Sequence, residues 1–506
     1  MSILQGKNIL IFQQRGWGEV MGHFLAKKLQ EEGCHLATLT LKRTTDTFIR
    51  NQKDVSYEYI INNDEIMADP RAYLDGDDFT LKEICEALGV DSIWPLVYSS
   101  RNHVKSYRDK FYYGFKQNVS DEGIIVYVKA LYKMVRFFFD TFQPDFILSP
   151  NLVSLPHLMF HYYGKKKGIK LIGITDGKVS GYTFFSYSHY CDEGPFFDHL
   201  RQIEEGLIIS DHTQEAKEYI VNFRAKFQVP DVMQKFLQKK KISFWKKMKK
   251  IVMFPKRAII FFLNRKDNYI QSIGVSVDYR TIYIVLRDIY CKKAYSRFAQ
   301  KFAYVPLDSL SQYVYYPLQF QPEAAIDVVA TYFSNQIEMI RLVAMSLPDD
   351  YTLVVKSHPA MMAYTPPSYL EKIARTPNVK LVDFRIPGEQ VLKGAAMVIG
   401  PGSTTIAEAA FLKKPAIQLG DLGTTLQLPN TFRHTDMTTI SARIKEVLKI
   451  NLDTKEYERQ LENFVAAVLD VGFAIDYFYM WEKGKGDYDE LWNVYKKEII
   501  QALSVV

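Results

Sequence analysis

The residues best equipped for chemistry in this chain close two apolar runs. YTLVVKSHP ends on Lys356, His358 and Pro359. Pro359 stops a strand, so His358 stands at the strand's carboxyl edge, where open α/β sheets bind their ligands. An ammonium and an imidazole at that edge can both donate to a phosphate oxygen. Downstream, MVIG leads into GPGSTTIAEAA, Gly400 to Ala410. Gly400 and Gly402 permit close backbone approach, and Ser403, Thr404 and Thr405 supply hydroxyls. A helix beginning near Thr405 turns its free N–H groups towards whatever fills the loop, which favours an anion. Glu408, one turn on, is a carboxylate that could accept from a ribose hydroxyl; a solvated helix Glu fits it equally. The loop is neither GxxxxGK[ST] nor GxGxxG, so ATPase and dinucleotide chemistry are not favoured. Each motif also has a plain reading, as a strand-end His bonded to backbone and as a capped helix after a tight turn. Their succession favours the phosphate site.

A third constellation, Arg15-Gly16-Trp17-Gly18-Glu19, sits in the first strand-to-helix loop. The glycines give room and Trp17 could stack on a sugar face; a glycine turn with a packed Trp fits the same letters.

The elements that must carry these loops alternate. KNILIF and HLATLTL read as strands around the amphipathic helix HFLAKKLQEEG, which Gly33 stops. After a helical stretch to about Gln143, PDFILSP and KLIGITDG are strands around a helix near Leu155 to Lys167. YVYYPLQ, YTLVVKSHP, VKLVDF, MVIGPGS and PAIQLG follow in the second half, and the spacer Glu323 to Leu347 has a helix's apolar period. Strands apolar at nearly every position suit parallel sheets covered on both faces. The expected fold is α/β, two Rossmann-like doubly wound domains facing across a cleft. Residues 1–202 form an acceptor-side domain, 203–297 a helical and basic insertion, and 298–453 the nucleotide-sugar-binding domain. Residues 454–506 are helices that pack back on the first domain.

At 506 residues, 47% hydrophobic and 24% charged, the chain suits two globular cores. Four scattered cysteines, Cys34, Cys85, Cys191 and Cys291, form no CxxC pair, which argues against a disulfide framework or zinc and for a reducing compartment. No signal peptide or spanning segment is read, so a cytoplasmic protein is expected. The formal charge is +7, yet Lys235 to Lys266 holds 12 Lys or Arg and no acid; removing them leaves −5. Basic character is therefore local, which argues against nucleic acid as a partner. Interleaved with Phe, Trp, Ile and Met, that segment suits an anionic membrane surface, or a solvated insertion packed on its own domain.

The stretches YYPLQFQPE, VVKSHP and GPGSTTIAEAAFLKKPAIQLG resemble the bacterial capsule polysaccharide biosynthesis family, with its Kdo transferases, and more distantly bacterial sialyltransferases. The resemblance covers mainly Tyr313 to Asp421. It implies a GT-B fold and a nucleotide-sugar donor, often CMP-linked, whose phosphate is held by His358, Ser403 and Thr404. It also implies that the Arg15–Gly18 loop faces the acceptor and that Gln319, Gln321 and Glu323 border the donor. The family's acidic-Asp-Gly element supplies an acid/base. Asp176 in Thr175-Asp176-Gly177 is one match, with Thr where the family has an acid; Asp192-Glu193-Gly194 is the alternative. A carboxylate in hydrogen-bond reach can take the acceptor hydroxyl's proton. No DxD-like motif stands out, so neither metal nor cofactor is expected. Glycosyl transfer to a surface polysaccharide or lipid-linked glycan is the expected activity. A teichoic-acid-type glycerophosphotransferase, a nucleotide-sugar epimerase and a non-catalytic glycan-assembly scaffold are the alternatives.

Overall fold

A computed structural model describes residues 2–99, 120–227, 259, 263, 282–321 and 323–504. The basic segment Lys235 to Lys266 lies outside the described residues but for Ile259 and Leu263. The strands of the first half are β1 (Asn8–Gln13), β2 (His35–Thr40), β3 (Tyr59–Asn62), β4 (Phe146–Leu148), β5 (Leu171–Asp176) and β6 (Thr183–Ser186). They form one sheet in the order β3-β2-β1-β4-β5-β6, parallel except for β6. Those of the second half are β7 (Tyr313–Pro317), β8 (Thr352–Lys356), β9 (Val379–Val382), β10 (Met397–Gly400), β11 (Ala416–Gln418) and β12 (Thr431–Arg433). Their order, β12-β11-β10-β7-β8-β9, repeats the first arrangement with every pair parallel. The chain is thus α/β with two doubly wound sheets. The short strands β3, β6 and β12 were not foreseen in the sequence.

Both faces of each sheet are covered, as the unbroken apolar runs require. On β1, Ile9 and Ile11 face α1 (Met21–Glu31), while Leu10 and Phe12 face α2 (Asp121–Phe137) and α3 (Leu155–Lys166). On β7, Val314 and Tyr316 enter one core and Tyr313 and Tyr315 the other. Beyond β6 lie α4 (Pro195–Glu204) and α5 (Thr213–Ala225).

The spacer from Glu323 to Leu347 is not one helix. Only α6 (Gln336–Ser346) is long, and Asn335 caps it. The Gln336 side chain, 1% exposed, accepts from the Gln319 N–H at 2.7 Å and donates to Gln321 Oε1 at 2.9 Å. Satisfying these buried amides outweighs continuing the apolar period.

After α7 (Thr404–Phe411), the chain returns to the first sheet through α8 (Lys455–Val471), α9 (Tyr477–Lys483) and α10 (Tyr488–Ser504). Phe473 exchanges two backbone hydrogen bonds with Thr183, and Leu491, Tyr495 and Ile499 pack with Ile9 and Ile11. One apolar cluster spans both halves, joining Phe196 and Phe223 to Ala407, Phe411 and the inner face of α8. Among the described residues, no helix is long and apolar enough to cross a membrane.

Candidate functional site

In the second sheet β8 and β10 flank β7. Lys356 lies opposite Pro317 in the β7–β8 register, and the open side of Gly400 faces that same Pro317. The KSHP and GPGST loops therefore leave one edge of the sheet two strand spacings apart, about 10 Å. Gly402 adopts φ +144°, a left-handed-region value that favours glycine, and turns the chain into α7. A Cβ at Gly400 would meet nothing nearer than Pro317 at 4.0 Å, so the backbone there has open space.

Ser403 occupies the N-cap of α7 but makes no capping hydrogen bond; its hydroxyl, in a residue 7% exposed, has no protein partner. Thr404 and Thr405 follow, half-buried, and no acid occupies the first turn. The other end of the helix is fully engaged. The Ala410 carbonyl accepts from Tyr457 Oη at 2.6 Å and the Phe411 carbonyl from Arg224 Nε at 2.8 Å. A helix held at its carbonyl end with its N-terminal hydroxyl unpartnered can accommodate an anion.

Lys356 is 7% exposed, and burial pushes its ammonium down to about 8 against the pull of Glu408 and Asp383. His358 is half-buried, edge-on to Phe320 at 5.7 Å, and its Nδ1 accepts from the Ala360 N–H at 3.3 Å. Burial, then the Lys356 charge, pushes the imidazole down to about 4. It is therefore neutral at pH 7 with its proton on Nε2. The backbone bond engages one nitrogen and fixes the ring, which leaves the other able to donate. Pro359 starts the 3-10 turn that His358 caps.

Glu408 is half-buried; burial raises its carboxyl to about 7, against the charges of Lys356 and Lys178. Lys178 follows β5 and Lys356 ends β8, so charges from the strand ends of both sheets bear on this one carboxyl. At the end of β5, Asp176 keeps 51% of its side-chain surface open. Burial pushes its carboxyl up, but Lys178 more than offsets this and leaves it below the usual range. The Lys178 N–H donates to Oδ1 and its Nζ to Oδ2, each at 3.0 Å. Lys178, at φ +62°, was not singled out in the sequence. Its part comes from the pair with Asp176 and from the charge it lends against Glu408.

The alternative carboxylates are engaged elsewhere. Asp192 accepts from the Ser188 hydroxyl, and Glu193 pairs with Lys165. Both lie where the halves touch: the Gly423 N–H donates to the Tyr190 carbonyl at 2.7 Å, and a Cβ at Gly423 would strike Asp192.

The Arg15–Gly18 loop requires a correction. Trp17 is fully buried, its Nε1 donates to Tyr477 Oη, and it packs with Met21 and Leu25, so it offers no face to a sugar. Gly18 is small because a Cβ would lie 2.8 Å from the Gln14 carbonyl and from Thr45. Gly16, at φ +69°, would touch Trp481. Arg15 remains exposed. Gln319 and Gln321 serve the buried amide network with Gln336, and Glu323 starts the short turn after it. Among the described residues, no group of three or more His, Cys, Asp or Glu is placed to hold a metal ion.

No family model matches the chain, and neither does any curated protein. Solved structures similar to it include the calicheamicin glycosyltransferase CalG4, 13% identical over 99% of both chains with a TM-score of 0.26. UDP-GlcNAc 2-epimerase from Methanocaldococcus jannaschii is 11% identical over 92% of this chain and 98% of its own, at 0.23. Thermosulfurimonas dismutans KpsC, a beta Kdo 2,7 transferase, is 11% identical over 73% and 89%, at 0.30. Likenesses at these scores carry no argument, and the fold rests on the two sheets themselves.

Proposed function

We propose that this chain is a glycosyltransferase that moves a sugar from a nucleotide-sugar donor to a glycan acceptor. The observation that carries the reading is the Ser403 hydroxyl, buried without a partner at the open N-terminus of α7. It shares a sheet edge with Lys356 and His358, and Glu408 on the same helix feels the charge of Lys178, the partner of Asp176. In this reading the ammonium of Lys356, the Nε2–H of His358 and the hydroxyls of Ser403 and Thr404 grip the donor phosphate. As the bond from the anomeric carbon to the phosphate oxygen breaks, these donors stabilise the charge on the leaving group. Asp176, ionised at neutral pH, accepts the proton of the acceptor hydroxyl as its oxygen bonds to that carbon. Residues 1–202 then serve the acceptor, 298–453 the donor, and 454–506 tie the two together.

The finer assignment is a CMP-linked acid sugar such as Kdo, used in the cytoplasm on a surface polysaccharide or a lipid-linked glycan. The basic run Lys235 to Lys266 would rest on an anionic membrane. The sequence resemblance and that charge run support it. The test is thermal-shift titration with CMP, CDP, UDP and GDP, then nucleotide release from CMP-Kdo, CMP-sialic acid, CDP-glycerol and UDP-sugars. A ligand that binds only the folded chain raises its melting temperature. A flat response to all four nucleotides would sink the reading and favour a scaffold. Release from CDP-glycerol alone would make the protein a glycerophosphotransferase, and conversion of a UDP-sugar without acceptor an epimerase.

A further inference from the structure

A doubly wound sheet leaves a crevice at its carboxyl edge where the strand order reverses, which in the first sheet is between β1 and β4. Four side chains meet there in an uncharged chain of hydrogen bonds. Gln14 Nε2 donates to Asn151 Oδ1 at 3.1 Å and to His157 Nε2 at 2.7 Å, and His157 Nδ1 lies 2.7 Å from Ser154 Oγ. His157 is 1% exposed and stacks on Phe12, with centroids 4.9 Å apart and planes 24° from parallel. With its Nε2 accepting, the ring carries its proton on Nδ1 and donates to Ser154. That leaves the Ser154 O–H, the Gln14 Oε1 and the Asn151 NH₂ for a ligand, all on half-buried residues.

We infer that this crevice binds a neutral, hydroxyl-rich sugar unit of the acceptor, with Gln14, Asn151 and Ser154 as its hydrogen-bonding residues. Ligands of doubly wound sheets sit at the strand-order reversal. Uncharged groups that both donate and accept suit hydroxyls, whereas an anion would call for cations. The crevice also adjoins the proposed base. A Cβ at Gly173 would meet Asn151 Cα at 3.4 Å, and Asp176 ends the same strand three residues on, about 10 Å away. A sugar seated on Gln14 and Asn151 can therefore direct another hydroxyl at Asp176. The inference deepens the transferase reading and rests on it for the acceptor's role.

The test is saturation-transfer NMR on the full chain, with and without CMP. The probes are methyl β-galactoside, methyl α-mannoside and methyl N-acetyl-β-glucosaminide, with methyl sialoside as anionic comparator. At least one neutral glycoside should bind, more tightly than the sialoside. Asn151→Ala and Ser154→Ala should each weaken it about tenfold, the worth of one hydrogen bond, and leave the CMP thermal shift unchanged. Ser154 makes no capping bond to its helix, but its truncation strands the buried His157 Nδ1–H, so the melting temperature of the free variant is read beside its glycoside affinity. Unchanged glycoside affinity in both variants, or no neutral glycoside bound while CMP binds, overturns the inference. Glycoside binding sensitive to both substitutions, in a chain that binds no nucleotide, would keep the crevice and overturn the transferase reading instead.

Discussion

Two sheets of one strand order have been furnished in opposite ways. At the carboxyl edge of the second stand a buried ammonium, a neutral imidazole with one free N–H, and a helix whose first hydroxyl is unpartnered. At the matching edge of the first, the reversal point holds two amides, a serine and a buried histidine, and the glycine loop beside it is filled by Trp17. Equal topology thus positions unequal chemistry: one edge suits an anion and the other hydroxyls. The carboxylate that could link them, Asp176, stands on the first sheet but is set by a lysine whose charge also reaches Glu408 beside the second.

The largest expected effect tests that link. Asp176→Asn removes the proton acceptor and keeps the shape, so turnover should fall by about 10²–10⁴. Nucleotide affinity, which belongs to the other sheet, should stay within about twofold. Isothermal titration beside a nucleotide-release assay separates the two. Equal losses in both would merge the proposed division of labour into a single site.

Next comes Trp17→Ala, which asks whether the glycine loop of the first sheet is core or ligand surface. A fully buried indole with a hydrogen-bonded Nε1 costs about 3–5 kcal/mol when truncated. The melting temperature should drop by many degrees. A variant as stable as the parent but poor in acceptor binding would restore the stacking role.

These two residues also mark what the letters can convey. The KSHP and GPGST loops were legible because proline, glycine and small hydroxyls at strand ends have local causes. The alternation of strands and helices was legible because both-face burial writes continuous apolar runs. Trp17 was not, since an indole between glycines reads alike whether it faces water or core, and its partner Tyr477 lies 460 residues away. Nor were the Gln14–His157 pair, 143 residues apart, or Lys178, whose meaning comes from a carboxyl in the other domain. The edge strands β3, β6 and β12 escaped because each is short and closed by a polar residue (YIIN, TFFS, TFR), without the flanking apolar, Gly and Pro residues that framed the equally short β4 and β11.

A smaller effect concerns the charge of the second edge. Glu408 gains negative charge as pH passes about 7, and Lys356 loses its positive charge as pH passes about 8. Both changes weaken the grip on an anion, so nucleotide affinity should fall between pH 6 and pH 9, by about tenfold. Glu408→Gln should remove the lower part of that fall and leave the upper. A pH-independent affinity would show that the helix N-terminus and the hydroxyls do the binding without Lys356.

The smallest effect tests what keeps the two edges opposed. Asp470, on α8, accepts from His199 and His212 at 2.7 Å and from Ser210 at 2.9 Å, fastening α8 to α4 and to the turn before α5. The hydrogen bond to Asp470 raises the His212 imidazole above its ordinary value. Burial pushes the Asp470 carboxyl up, but its three donors bring it below the usual range. A raised histidine stabilises fully below its unfolded pKa, near 6.5, and loses that contribution as pH climbs through the folded value. A lowered carboxylate stabilises above its own unfolded pKa and loses that contribution on acidification. The clamp is therefore strongest in weak acid. Between pH 6 and pH 8 the melting temperature should decline slightly, by the equivalent of a few tenths of a kcal/mol, because 43% of the His212 side chain is open to solvent, which screens it. His212→Gln should flatten that decline. If it flattens nothing, the apolar cluster of Phe223, Phe411 and α8 holds the halves without electrostatic help, and the opposition of the two edges is a matter of packing alone.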